Sequence, residues 1–196
     1  MTAFLESICL INGKVPLLDL HQKRVQRTFD QFFPDSTPPQ LIKLVPDRIS
    51  EHKYKIRVTY NGSQTNVEIE AYIQRTLESV KMIQASDGLD YSYKSEDRSA
   101  LQNLYDQKGN ADEIVIVKND LVTDSFFANL AFWDGSDWYT PDTFLLNGVR
   151  RQHLLSTGQI KEMRIEKSMI KSFEKVSLIN AMLDLGESVT LTDKIT

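Results

Sequence analysis

The residues able to do chemistry are few, and their spacing sorts them. His21, His52 and His153 are far apart, with no H-x-x-x-H pair and no paired cysteines, so the chain offers no ligand set for a structural zinc ion. It has no P-loop, no G-x-G-x-x-G and no G-x-S-x-G turn, which leaves the common nucleotide-binding and hydrolase signatures without support. Cys9 falls in a predicted strand and reads as a small buried hydrophobe. What remains is an ordered string: His21-Gln22-Lys23-Arg24, Tyr93-Lys94-Ser95, Thr123-Asp124-Ser125, Ala128-Asn129-Leu130, Thr140-Pro141 and Leu146-Asn147-Gly148-Val149-Arg150. Taken singly, each has an ordinary explanation. Arg24 would be a solvated helix arginine, Lys94 a surface lysine, Asp124 a turn or capping residue, and Asn147-Gly148 a loop entering a helix.

The elements that must position this string follow from periodicity. Phe4 to Ile11 is rich in apolar and β-branched residues and is followed by Asn12-Gly13, a strong hairpin turn signal, so Val15 to Leu18 is expected as the return strand. Asp19 stands where a helix N-cap belongs, and Val25, Phe29, Phe32 and Phe33 predict one helix face. Pro34, Pro38 and Pro39 end that helix ahead of a short one carrying Leu41, Leu44 and Val45. Ile56, Val58 and Tyr60 alternate with polar residues, and Asn61-Gly62 turns this strand back into Val67, Ile69, Ala71 and Ile73. A strand is expected over Ser79 to Ala85, with Ser86-Asp87-Gly88 as the domain boundary, giving domains 1–86 and 87–196. Ser95 to Gln107 predicts a helix closed by Gly109. Strands follow at Ile114 to Val117, Leu121 to Thr123 and Ala128 to Trp133, then a helix from Asn147-Gly148 through Gly158, and three further short strands. The fold class is α+β, two mixed units built on antiparallel hairpins.

Composition narrows the function classes. The chain has 196 residues, enough to bury a real core, with 41% hydrophobic and 26% charged residues. That excludes a disordered tail, a collagen-like fibre and a coiled-coil rod. With 23 Lys plus Arg against 27 Asp plus Glu, the formal charge is -4, so nucleic acid is not the expected partner. The single cysteine fits a reducing compartment, and the N-terminal stretch, broken by Glu6 and lacking an early basic residue, does not read as a signal peptide. A cytoplasmic protein with no membrane partner is the expectation.

Together and in order, the string resembles one family, the class IV aminotransferases, or fold-type IV pyridoxal phosphate enzymes. F-L-E-S-I-C-L-I-N-G-K-V-P-L-L-D-L-H-Q-K-R is similar to the family's F-E-T-hydrophobic, N-G-K and H-x-x-R-L stretch. N-A-D-E-I-V-I-V-K-N-D-L-V-T-D-S-F-F-A-N-L-A-F and W-Y-T-P-D-T-F-L-L-N-G-V-R-R continue the likeness over nearly the whole chain. The resemblance implies a D-amino acid aminotransferase-like fold of two small mixed domains, pyridoxal 5'-phosphate as cofactor and a homodimer whose neighbouring chain helps close the pocket. It makes Lys94 the catalytic lysine, which holds the cofactor's aldehyde and moves protons at the substrate α-carbon. It places Asp124, where the family usually has glutamate after threonine, opposite the ring nitrogen. Arg24 would fork the phosphate, the backbone N–H groups of Val149 and Arg150 would cradle it at a helix N-terminus, and Leu146 would pack on the ring. Asn129 would be mainly structural.

Two departures accompany the likeness: the family's opening strands and D-x-G-hydrophobic-G-D-G segment are missing ahead of Phe4, and Asp97 stands where lyases usually show asparagine. The branch that fits best is 4-amino-4-deoxychorismate lyase, which releases pyruvate and leaves 4-aminobenzoate for folate synthesis. An aminotransferase acting on D- or branched-chain amino acids is the runner-up, and a cofactor-free binding protein on the same fold a third reading. Arg57, Arg98, Tyr91 and Tyr93 all stand open as partners for substrate carboxylates, and Trp133 and Trp138 for the dimer interface.

Overall fold

A computed structural model describes residues 2–46 and 52–196. They pack as two units. The first comprises residues 2–46 and 52–74 together with Tyr93–Asp97, the second Arg75–Ser92 with Arg98–Thr196. The expected boundary at 86/87 therefore falls inside the second unit. The reason is pairing: the strand ending just before it runs parallel to a strand of the second unit, and residues 93–97 return to the first.

In the first unit, β1 (Phe4–Leu10), β2 (Tyr54–Tyr60) and β3 (Thr65–Ala71) form an antiparallel sheet in that order, and α1 (Leu18–Phe32) packs on it. Alternation along β2 buries Ile56, Val58 and Tyr60, as the sequence predicts. The same alternation puts Phe4, Glu6, Ile8 and Leu10 on one face of β1, so Glu6 is carried into the core between two hydrophobes. On α1 the buried residues are His21, Arg24, Val25, Thr28 and Phe29, one stripe at helical spacing.

The expected return strand at Val15–Leu18 is not formed. Asn12 and Gly13 do take the positive φ of a tight turn, but it is closed only by the Ile11–Lys14 bridge. Pro16 has no N–H to extend a ladder, and Leu17 turns left-handed (φ 63°) to start α1. Leu17, not Asp19, is the N-cap, and β1 takes β2 as its partner. The other edge of β1 is covered by residues 93–97: Leu5 N–H donates to Lys94 C=O (2.9 Å) and Glu96 N–H to Ala3 C=O (2.9 Å). The helix expected from Ser95 is accordingly delayed to Ser99.

The second unit is built on a sheet of eight strands among the described residues. They are β4 (Val80–Gln84), β5 (Glu113–Lys118), β6 (Leu121–Ser125), β7 (Asn129–Trp133), β8 (Trp138–Pro141), β9 (Lys161–Met163), β10 (Lys175–Ile179) and β11 (Val189–Leu191). The main path runs β11-β10-β7-β6-β5-β4, with β8 on β7 and β9 on β8. Only β4–β5 and β8–β9 are parallel. Helices α2 (Ser99–Tyr105) and α3 (Val149–Ser156) complete the unit. Asn119 and Asp120 both hold positive φ, the twist a two-residue β5–β6 turn requires. Trp133 and Trp138 pack tilted, 5.3 Å apart, with Lys175 over both rings, and both are half-buried.

Candidate active site

The predicted site residues fall into two groups, each placed by its own unit. In the first, Glu6 of β1 meets His21 and Arg24, one turn apart on α1. Arg24 forks Glu6: Nε donates to Oε1 at 2.7 Å and Nη2 to Oε2 at 2.5 Å. The forked contact expected on a phosphate is made with Glu6 instead, an acid whose place in an apolar strand gives no sign of this role. His21 Nδ1 lies 2.5 Å from Glu6 Oε2, and its Nε2 is buried without a hydrogen-bond partner. Burial opposes charge on Glu6, but the Arg24 guanidinium beside it and the bonds from Arg24 and His21 outweigh this and hold its carboxyl at about 2. Burial lowers the pKa of His21 against the pull of Glu6, so the ring is neutral, Nδ1–H donates to Glu6, and Nε2 keeps a lone pair.

Lys94 is half-buried, its backbone fixed by the bond to Leu5 on the outer edge of β1. It is close enough for its charge to act on His21. Lys94 was expected in the C-terminal domain, and the structure puts it in the first unit. Of the open substrate-binding candidates there, Arg57 faces Glu68 and Glu96, and Tyr93 packs its ring on Phe32 (4.8 Å) beneath Arg27.

The second group centres on Asp124. It sits in β6 directly across from Asn129 of β7, so the two side chains form a cross-strand pair. Asn129 Nδ2 donates to Asp124 Oδ1 (2.7 Å) and to Leu146 C=O (2.8 Å). Leu145 and Leu146 N–H donate to Asp124 Oδ2 at 3.2 and 2.9 Å. Burial nonetheless pushes the Asp124 carboxyl up to about 6, against these bonds and the charge of Arg151. A buried carboxylate of this kind wants a cationic N–H opposite it.

Helix α3 starts one residue after Gly148, with no side-chain cap. A Cβ at Gly148 would lie 2.1 Å from Asn129 Oδ1, so only glycine lets the loop come this close. The first helical bond runs from Gln152 N–H to Gly148 C=O, which leaves the Val149 and Arg150 N–H groups at an open helix end, a donor set suited to a phosphate. The Arg150 side chain points elsewhere, to Asn180 C=O (3.4 Å) and Asp184 (3.1 Å). The donors and acceptors therefore fit an anionic group bearing a protonated ring nitrogen.

Two supports were not foreseen. Glu113 Oε1 accepts the Phe126 N–H at 3.1 Å, while Arg98 donates to Phe126 C=O and lies over its ring, 4.2 Å away. Together they pin the Phe126-Phe127 turn joining Asp124's strand to Asn129's. Arg98, a candidate for substrate carboxylates, gives Nη2 to this turn, and its Nε is buried without a hydrogen-bond partner.

Comparison with known proteins gives the family. The model of the amino-transferase class IV family matches residues 3–186. The chain belongs to that family. Its cofactor is pyridoxal phosphate, its fold is fold-type IV, and it is an enzyme of that group. A Haemophilus influenzae protein without an assigned function is 37% identical over 190 residues, 93% of this chain and 98% of its own. A Haemophilus somnus crystal structure, provisionally named a 4-amino-4-deoxychorismate lyase, is 31% identical with a TM-score of 0.89, covering 94% of this chain and 98% of that one. A Mycobacterium tuberculosis aminotransferase of hypothetical function, solved with pyridoxal phosphate, shares the fold at a TM-score of 0.75 and 14% identity, over 98% of this chain and 81% of that one.

Proposed function

We propose that the chain is a lyase that eliminates pyruvate from 4-amino-4-deoxychorismate to give 4-aminobenzoate, with Lys94 as its catalytic residue. What carries this reading is the 31% identity to the Haemophilus somnus protein over almost the full length of both chains. When bound, pyridoxal phosphate withdraws electrons from the substrate α-carbon through its protonated ring nitrogen.

The chain's own residues then have distinct tasks. Lys94 holds the cofactor, takes the α-proton and returns a proton as the aromatic product leaves. Asp124, seated by Asn129 and two backbone N–H groups, accepts the proton-bearing ring nitrogen. It is one methylene shorter than the family's glutamate. Val149 and Arg150 offer backbone N–H groups to the phosphate, Arg24 adds positive charge held in place by Glu6, and Leu146 lies against the ring. This reading also carries a cytoplasmic homodimer supplying 4-aminobenzoate to folate synthesis.

Membership of the class IV amino-transferase family supports an aminotransferase as the second reading, and one experiment separates the two. Wild type and Lys94→Ala are loaded with pyridoxal phosphate, scanned, then reduced with borohydride and scanned again. A visible band that wild type shows before reduction, that borohydride abolishes while fixing the cofactor to the protein, and that the variant lacks supports Lys94. Pyruvate formed from 4-amino-4-deoxychorismate without added keto acid supports the lyase, whereas turnover of amino acids only with a keto acid present overturns it.

A further inference from the structure

We propose that Arg151 is a positioning residue, whose guanidinium grips the end of β8 and the loop that follows it at three points and so holds the two backbone N–H groups that seat Asp124. The proposal builds on the reading of Asp124 as the ring-nitrogen partner, but its geometry is independent of the cofactor.

The loop that seats Asp124 has no regular structure of its own, so something outside it must fix it. Arg151 is the third residue of α3 and only 2% exposed, rare for an arginine. Its Nη2 donates to Pro141 C=O at 3.0 Å, at the end of β8 where the loop departs. Its plane lies 4.2 Å from the Phe144 ring, in the middle. Its Nη1 reaches Asn147 Oδ1 at 3.3 Å, at the end. Nη2 also meets the half-exposed Glu162 carboxylate at 2.5 Å, which balances the buried charge. Leu145 and Leu146, the donors to Asp124, lie between the second and third grips. A planar fork with several donors can do this, and an ammonium cannot, because its charge is a point without the fixed geometry. The arginine charge also acts on Asp124, lowering a carboxyl that burial raises.

The test uses isotope-labelled apoprotein as wild type, Arg151→Met and Arg151→Lys. Amide hydrogen exchange at Leu145 and Leu146 reads the seat, and carboxyl NMR titration reads Asp124. In Arg151→Met, exchange at both amides is expected to rise about tenfold, while β5 amides keep their protection. The Asp124 midpoint is expected to move upward. Arg151→Lys keeps the charge and loses the fork, so the midpoint rises less than in Arg151→Met while the amides still exchange faster. Should Arg151→Met not fold, Asn147→Ala removes one grip alone and is expected to raise exchange about threefold. Unchanged exchange in Arg151→Lys and Asn147→Ala overturns the proposal. In the loaded protein, Arg151→Met should also shift the pH dependence of the visible cofactor band. A shifted Asp124 titration in the apoprotein with an unmoved band keeps Arg151 as the positioning residue and overturns instead the assignment of Asp124 to the ring nitrogen.

Discussion

Glu6 is fully buried with both oxygens committed, one to Arg24 and the other to Arg24 and His21. Its removal therefore strands a buried guanidinium. Glu6→Gln is expected to destabilise the fold by about 3–5 kcal/mol, measured by denaturant unfolding, and to weaken pyridoxal phosphate binding through a loosened Arg24. The pH dependence follows from the sign of each shift. Glu6 is depressed from 4.5 to about 2, so its contribution is complete above pH 4.5 and is lost as pH falls toward 2. Asp124 is raised from 3.8 to about 6, so the folded apoprotein keeps a proton there that the unfolded chain has released. Its ionisation costs stability as pH rises from about 4 through 6. Asp124→Asn should flatten that decline in apoprotein stability between pH 4 and 6.5. A decline unchanged in the variant would assign it to another group, such as Glu113, whose carboxyl burial lifts to about 7.

Elements set the site by parity and by close approach. Glu6 was legible as part of an apolar strand but not as a buried acid, because period-two alternation fixes a face and cannot say what faces it. Lys94 and Asp124 are legible through their order along the chain, whereas Arg151 is not, because its value lies in a loop whose path no local pattern reveals. The missing strand at Val15–Leu18 has a local cause in Pro16 and Leu17, and the Asn12-Gly13 signal correctly marked the turn while hiding what came after. Gly148 is the tightest of these constraints. Gly148→Ala would drive a methyl into Asn129, and the expected outcome is a loss of about 2–4 kcal/mol with markedly weaker cofactor binding. Titration of the variant with pyridoxal phosphate, monitored by the visible band, checks this. Wild-type affinity would mean that the loop and Asn129 have room to yield.

Across the whole molecule, the fold class, most of the hairpins and the family were readable from the sequence, since strand alternation and turn residues are local signals. The division into units was not, because it depends on a return of the chain over tens of residues. A ligand that binds only folded protein stabilises it by mass action. Pyridoxal phosphate at about 100 times its dissociation constant should contribute about 2.7 kcal/mol and raise the melting temperature by roughly 5–10 °C, read by calorimetry. No rise, with wild-type secondary structure, would contradict the cofactor assignment at its root. The segment 93–97 bears on how the protein is made. Because it covers the edge of β1, the first unit cannot be finished during synthesis when its own sheet strands have emerged. It must wait, with one strand edge bare, until residue 97 has left the ribosome, so the peptide that brings the lysine is also the last piece to close the unit.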